Sequence, residues 1–134
     1  MTLPSSGTHP IQIEQDVVLA RQLARKLSQQ CGMRLIDLTK LVTAVSELAR
    51  NTMVYGGGGH MDWQIIEEPA RTGLRLLFRD EGPGIADLKL ALTDGWTSGS
   101  GLGLGLTGAR RLVDEFELDT APGQGTRVAI TRWV

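Results

Sequence analysis

A single cysteine, Cys31, stands in 134 residues, so no internal disulfide holds this fold. With only His9 and His60 as histidines, the chain has no Cys/His cluster of the kind that binds zinc. Neither sign of charge is in excess: 14 Lys and Arg against 15 Asp and Glu leave a formal net charge of −1. That balance makes no electrostatic case for nucleic acid or for an anionic membrane surface. No apolar run approaches the roughly 20 residues that span a bilayer. The first residues also lack the charged-then-apolar pattern of a secretory signal. These absences predict a cytoplasmic protein with no nucleic-acid and no membrane partner. Apolar residues at 41% and charged residues at 22% suit a soluble globular chain, and the length suits one domain.

What the chain has in abundance is glycine, 17 residues of which all but Gly7 and Gly32 are crowded between Gly56 and Gly125. Such crowding marks tight turns or places where backbone must approach something closely. Around it the apolar pattern defines elements. Residues 1–9 read as a flexible start, and Pro10–Ile13 as a short edge strand. Val17, Val18, Ala20, Leu23, Ala24 and Leu27 recur at helical spacing from Glu14 to Cys31, where Gly32 stops the run. Asp37–Met53 is a second helix, and residues 104–116 contain a third. Strands are expected at His60–Glu67, Gly73–Arg79, Glu117–Thr120 and Thr126–Arg132. The glycine-rich segment 81–103 is longer than most connections in a compact domain and is either functional or mobile. Helices bunched early and strands paired as hairpins predict an α+β, two-layer sandwich: a mixed β-sheet with three main helices on one face.

Four motifs carry the chemistry. In Glu47-Leu-Ala-Arg-Asn51, spacing of i,i+4 brings both heads to one ligand. Asn51 offers a neutral oxygen to Mg²⁺, and Glu47 a general base. The same spacing also describes a solvated polar face, because the wheel sets the pair opposite the apolar stripe. Asp80-Glu-Gly-Pro-Gly84 places an acid at the end of a strand, where it can accept from an exocyclic amine such as that of adenine. Asp before Gly and Pro is equally a turn signature. Gly103-Leu-Gly-Leu-Thr-Gly108 fits the dinucleotide pattern but lacks the preceding strand, leaving a glycine loop that opens a helix and suits an anion. Gly56–Gly59 lacks the Lys-Ser/Thr of a P-loop and reads as a flexible connector. Gly123-Gln-Gly-Thr126 is a hairpin turn whose hydroxyl can reach the purine edge that Asp80 reads.

In this order the motifs resemble the ATP-binding domain shared by gyrase, Hsp90, histidine kinases and MutL, known as GHKL. The resemblance covers about residues 10–132. Neither His9 nor His60 sits in a phosphoacceptor helix, and the chain is most similar to the small serine/threonine kinases of bacterial anti-sigma regulators, the stressosome switch kinases. Ser46-Glu-Leu-Ala-Arg-Asn51 and Gly101-Leu-Gly-Leu-Gly-Leu106 with Ala109-Arg-Arg-Leu-Val113 carry that likeness.

The resemblance implies ATP and Mg²⁺ as cofactors and a STAS-domain protein as substrate. It also implies a downstream phosphatase or other effector reached by partner switching. It makes Glu47 the catalytic base, Asn51 the Mg²⁺ ligand, and Asp80 the adenine reader with Thr126. In an ATP-using enzyme the segment 81–103 would be a lid, which Gly82, Gly84 and the loop Gly101, Leu102, Gly103, Leu104 and Gly105 would shape while holding phosphate. Lys40 and Arg50 are candidate phosphate neighbours, and Trp96 in the lid a candidate partner anchor. The alternative functions are a nucleotide-gated binding module, acting as an anti-sigma factor or effector activator, and simple ATP hydrolysis.

Overall fold

The computed structural model describes residues 2–85 and 105–134. Its elements run β1 (Ser6–Ile11), α1 (Glu14–Cys31), α2 (Leu35–Val54), β2 (Gly59–Glu68), β3 (Arg71–Asp80), α3 (Leu106–Arg111), β4 (Glu115–Thr120) and β5 (Thr126–Trp133). The five strands form one sheet in the order β1-β2-β3-β5-β4. Each pairing among them is antiparallel, where the sequence pattern predicts a mixed sheet. Hairpins join β2 to β3 and β4 to β5; β2 returns antiparallel beside β1, whereas β4 lies one strand beyond β3, on the far side of β5. The α+β sandwich itself stands as expected.

Helix α1 begins where Asp16 turns its carboxylate back to accept from the N–H groups of Gln12 and Ile13, at 2.9 and 3.1 Å. Those bonds hold the Asp16 carboxyl below its usual value. The helix stops at Gly32, whose φ of 85° suits a left-handed cap. Val17, Ala20, Ala24 and Leu27 of α1 and Leu38, Leu41, Val45 and Leu48 of α2 are buried. They meet Met61, Leu74, Leu76, Phe78 and Ile130 from one face of the sheet. Each fully buried Val, Leu, Ile, Met or Phe among them contributes about 1.5–3 kcal/mol.

Two elements differ from the sequence reading. Residues expected to be flexible instead supply β1, because Ser6–Ile11 pairs along β2. The preceding residues are tied down as well. Trp63 Nε1 donates to the Pro4 carbonyl at 3.1 Å, and Leu3 exchanges two 2.8 Å bonds with Gln30. The third helix ends at Arg111, after six residues, rather than near Phe116, and the chain is already extended at Glu115. Long-range bonds draw it out: Asp114 N–H donates to the Thr131 carbonyl at 3.0 Å, while the Asp114 carboxylate accepts from Trp133 N–H at 2.6 Å. Arg132, only 13% exposed, caps the end of α3 by donating to the Leu112 carbonyl at 2.9 Å and also pairs with Asp37 at the start of α2.

Candidate functional site

At one end of the sandwich α2, α3 and the ends of β3 and β5 line a small, open-mouthed pocket. Its walls are apolar: Leu48, Phe78, Ile85, Leu106 and Val128. Its polar groups are Asn51, Thr52, Tyr55, Asp80 and Thr126. A mostly apolar slot with a few placed polar groups is the usual form of a small-molecule site.

Asp80 reaches this pocket by strand alternation. Leu74, Leu76 and Phe78 of β3 point into the core, so Asp80 shares their face. Opposite it in register lie Gly59 on one side and Thr126 on the other. Burial pushes the Asp80 carboxyl up from its ordinary value, while N–H bonds from Gly82 and Thr126 pull it back. The Gly82 bond to Oδ1 measures 2.9 Å. Asp80 is thus an acid held in place by backbone donors in a half-buried setting.

Gly56 makes that placement possible. It is buried, and a Cβ on it would fall 2.4 Å from Asp80 Oδ2. The glycine run after α2 is therefore not simply the flexible connector the sequence suggests; its first member is a close-approach position. The N–H groups of Tyr55 and Gly56 both donate to the Asn51 carbonyl at 3.0 Å and end α2 there. The missed signal was Gly56's alignment with the strand-end acid, which depends on a pairing between distant segments.

Asn51 lines the pocket and is half-buried, with Glu47 exposed one turn earlier. The wheel sets the pair opposite the core stripe, but Asn51 is half-buried and shares the pocket lining with Leu106 of α3. Glu47 borders the start of α3. A Cβ on Gly105, at φ 64°, would stand 2.5 Å from Glu47 Oε2, so only glycine brings the backbone this near the carboxylate. Gly105 is also the residue at which α3 begins.

The remaining predicted residues divide. Thr126 lies in the pocket beside Asp80. The Gly84 carbonyl accepts from the Tyr55 hydroxyl at 3.2 Å, joining the pocket's entry loop to the end of α2. Tyr55 is a wall residue the sequence did not single out, as are Ile85 and Leu106. Arg50 is turned away to Glu14 at 2.7 Å, both side chains being half exposed. That partner holds its guanidinium pKa up. Neither Arg50 nor the exposed Lys40 lines the pocket. Gly101, Leu102, Gly103, Leu104 and Trp96 lie outside the described residues, as does most of the expected lid. Among the described residues no helix is long and apolar enough to cross a membrane.

Comparison with known proteins agrees with this geometry. Residues 36–133 match the family described as histidine kinase-, DNA gyrase B-, and HSP90-like ATPase. The serine/threonine-protein kinase RsbT of Bacillus subtilis (strain 168) is 39% identical over 124 residues, 92% of this chain and 93% of that one. Anti-sigma F factors are more distant. That of Clostridium novyi (strain NT) is 28% identical over 88% of this chain and 86% of its own length. The B. subtilis (strain 168) factor is 26% identical over 90% and 86%. An acid at a strand end, a Glu and an Asn one helical turn apart, and a match spanning both agree: the chain belongs to the histidine kinase-, DNA gyrase B- and HSP90-like ATPase family, among its small serine/threonine protein kinases.

Proposed function

We propose that the protein uses ATP and Mg²⁺ to phosphorylate a serine or threonine of a STAS-domain partner, and that it regulates a stress or signalling pathway by switching partners. The observation that carries this reading is the placement of Glu47. Its carboxylate borders the start of α3 one turn from Asn51, and Asn51 shares with Asp80 the lining of the pocket.

In this reading the apolar walls sandwich the purine, and the Asp80 carboxylate accepts from its amine. Such a bond to a charged acceptor contributes about 1.5–3 kcal/mol. Gly82 and Gly84 carry the chain past the base, and Gly105 opens α3 toward the phosphates. Gly101, Leu102, Gly103 and Leu104 belong to the same loop by sequence. Asn51 would hold Mg²⁺, a cation that takes oxygen ligands and keeps several waters; bound, it supplies charge neutralisation on the phosphates. Glu47 accepts the proton of the acceptor hydroxyl as that oxygen bonds the γ-phosphorus and the bond to the β–γ bridging oxygen breaks, leaving ADP. Most of the acceleration in such transfers comes from positioning and charge stabilisation.

The experiment is transfer from γ-labelled ATP with Mg²⁺ to a panel of purified STAS domains from the same genome. Label on a serine or threonine of one of them supports the kinase and identifies its substrate. ATP binding with no labelled domain favours a second reading, a nucleotide-gated binding module, which the anti-sigma F factor relatives support.

A further inference from the structure

Beneath Thr126 lies a second threonine that the motifs do not include. Thr120 ends β4 directly opposite Thr126 in the β4–β5 register, and its hydroxyl makes three contacts. It donates to the Gly125 carbonyl at 2.8 Å. It accepts from Ile85 N–H at 2.9 Å. It also lies 3.0 Å from the Thr126 hydroxyl.

A threonine hydroxyl has one proton and two lone pairs. With its proton on the Gly125 carbonyl and one lone pair taken by Ile85, Thr120 meets Thr126 through its remaining lone pair. The Thr126 hydroxyl must therefore donate to Thr120. Turning that bond round would leave the carbonyl of buried Gly125 without the proton it receives, and a buried polar group without a partner is costly. Thr126 then presents only lone pairs to the pocket. Asp80, its register partner, is an acceptor too.

We infer that Thr120 is a positioning residue for base choice: it fixes the direction of the Thr126 hydroxyl, so that the inner end of the pocket accepts hydrogen bonds and takes a 6-amino purine over a 6-oxo purine. A 6-amino group brings N–H donors to this surface, whereas a 6-oxo group sets an acceptor against acceptors. The inference rests on the ATP-site reading and adds a residue that touches no part of the base.

The test is calorimetric titration of ADP and inosine diphosphate, which avoid turnover, into the wild type, Thr120→Val and Thr120→Ser. Valine keeps the shape and removes the lone pair that holds the Thr126 proton. The preference for ADP should fall about tenfold in the valine variant, the value of one net hydrogen bond. The serine variant should keep the wild-type preference. Should the valine chain fail to fold, Thr120→Cys, a poor acceptor of similar size, should lower the preference in the same direction. Equal weakening of both nucleotides, with the preference unchanged, overturns the inference and makes Thr120 a loop anchor only. A wild type that binds neither nucleotide fails earlier, and overturns the ATP-site reading along with it.

Discussion

Two aspartates on one sheet sit in opposite settings. Asp62 of β2 lies on the face away from the helices, where Arg79 Nε donates to it at 2.8 Å and the Thr8 hydroxyl at 2.9 Å. Burial raises its pKa, but the bonds from Arg79 and Thr8 and the nearby charge of Arg79 outweigh that and lower it. Asp80, at the end of the neighbouring strand, faces the pocket, and burial leaves its pKa raised despite its two backbone donors. Asp62 satisfies its charge within the fold, across three strands. Asp80 lines a pocket, and its two backbone donors only partly offset its burial. A side chain that gains little from folding and stands in a pocket is a candidate for binding.

Four experiments sharpen or break that contrast. The largest effect is expected beside the start of α3. Glu47→Ala should slow phosphoryl transfer by about 10²–10⁴-fold, the usual loss for a general base, with nucleotide affinity nearly unchanged. Transfer at the wild-type rate removes Glu47 from that role. Next, Asp80→Asn should weaken ADP by about 10–100-fold yet leave the fold at least as stable as the wild type at neutral pH. Unchanged affinity would end the assignment of Asp80 to the base. Gly56→Ala belongs with it, since the new Cβ strikes the Asp80 carboxylate. Third, Asn51→Ala should remove the Mg²⁺ dependence of nucleotide affinity, read by titration with and without the ion; surviving dependence points to another ligand.

The smallest effect should be at Asp62. Asp62→Asn should leave nucleotide affinity untouched and cost about 0.5–1 kcal/mol of stability at neutral pH, given partial exposure of the pair. The two acids also have opposite signs in pH. A lowered pKa means that Asp62 stabilises the fold above the ordinary carboxylate range and loses that contribution as pH falls through its folded value. A raised pKa means that Asp80 costs stability above its folded value, and the cost vanishes below the ordinary range. Urea denaturation at neutral and acid pH should therefore show the Asp62→Asn deficit and the Asp80→Asn gain both shrinking as pH drops. A gap at either site that widens on acidification contradicts the corresponding setting.

Local order was legible because its causes are local. The bounds of α1 follow from apolar spacing and from Gly32. The Glu47–Asn51 turn follows from α-helical pitch, and the inward direction of Asp80 from alternation after Leu74, Leu76 and Phe78. An edge strand was legible only from Pro10 on; its start at Ser6 was not, since Ser6–His9 carry no strong strand pattern and are extended by pairing with β2. The early end of α3 was hidden for a related reason: Thr131, Trp133 and Arg132, some twenty residues away, extract and cap the chain there.

The sequence alone determined the periodic elements and the order of motifs that place this chain in its ATPase family, because hydrophobic period, helix stops and strand alternation act over a few residues. Tertiary structure decided which groups meet. It set Gly56 against Asp80, Gly105 against Glu47 and Thr120 beneath Thr126, and it turned Arg50 away to Glu14. Those contacts depend on strand register and helix packing, and register is a property of paired segments that neither strand carries by itself.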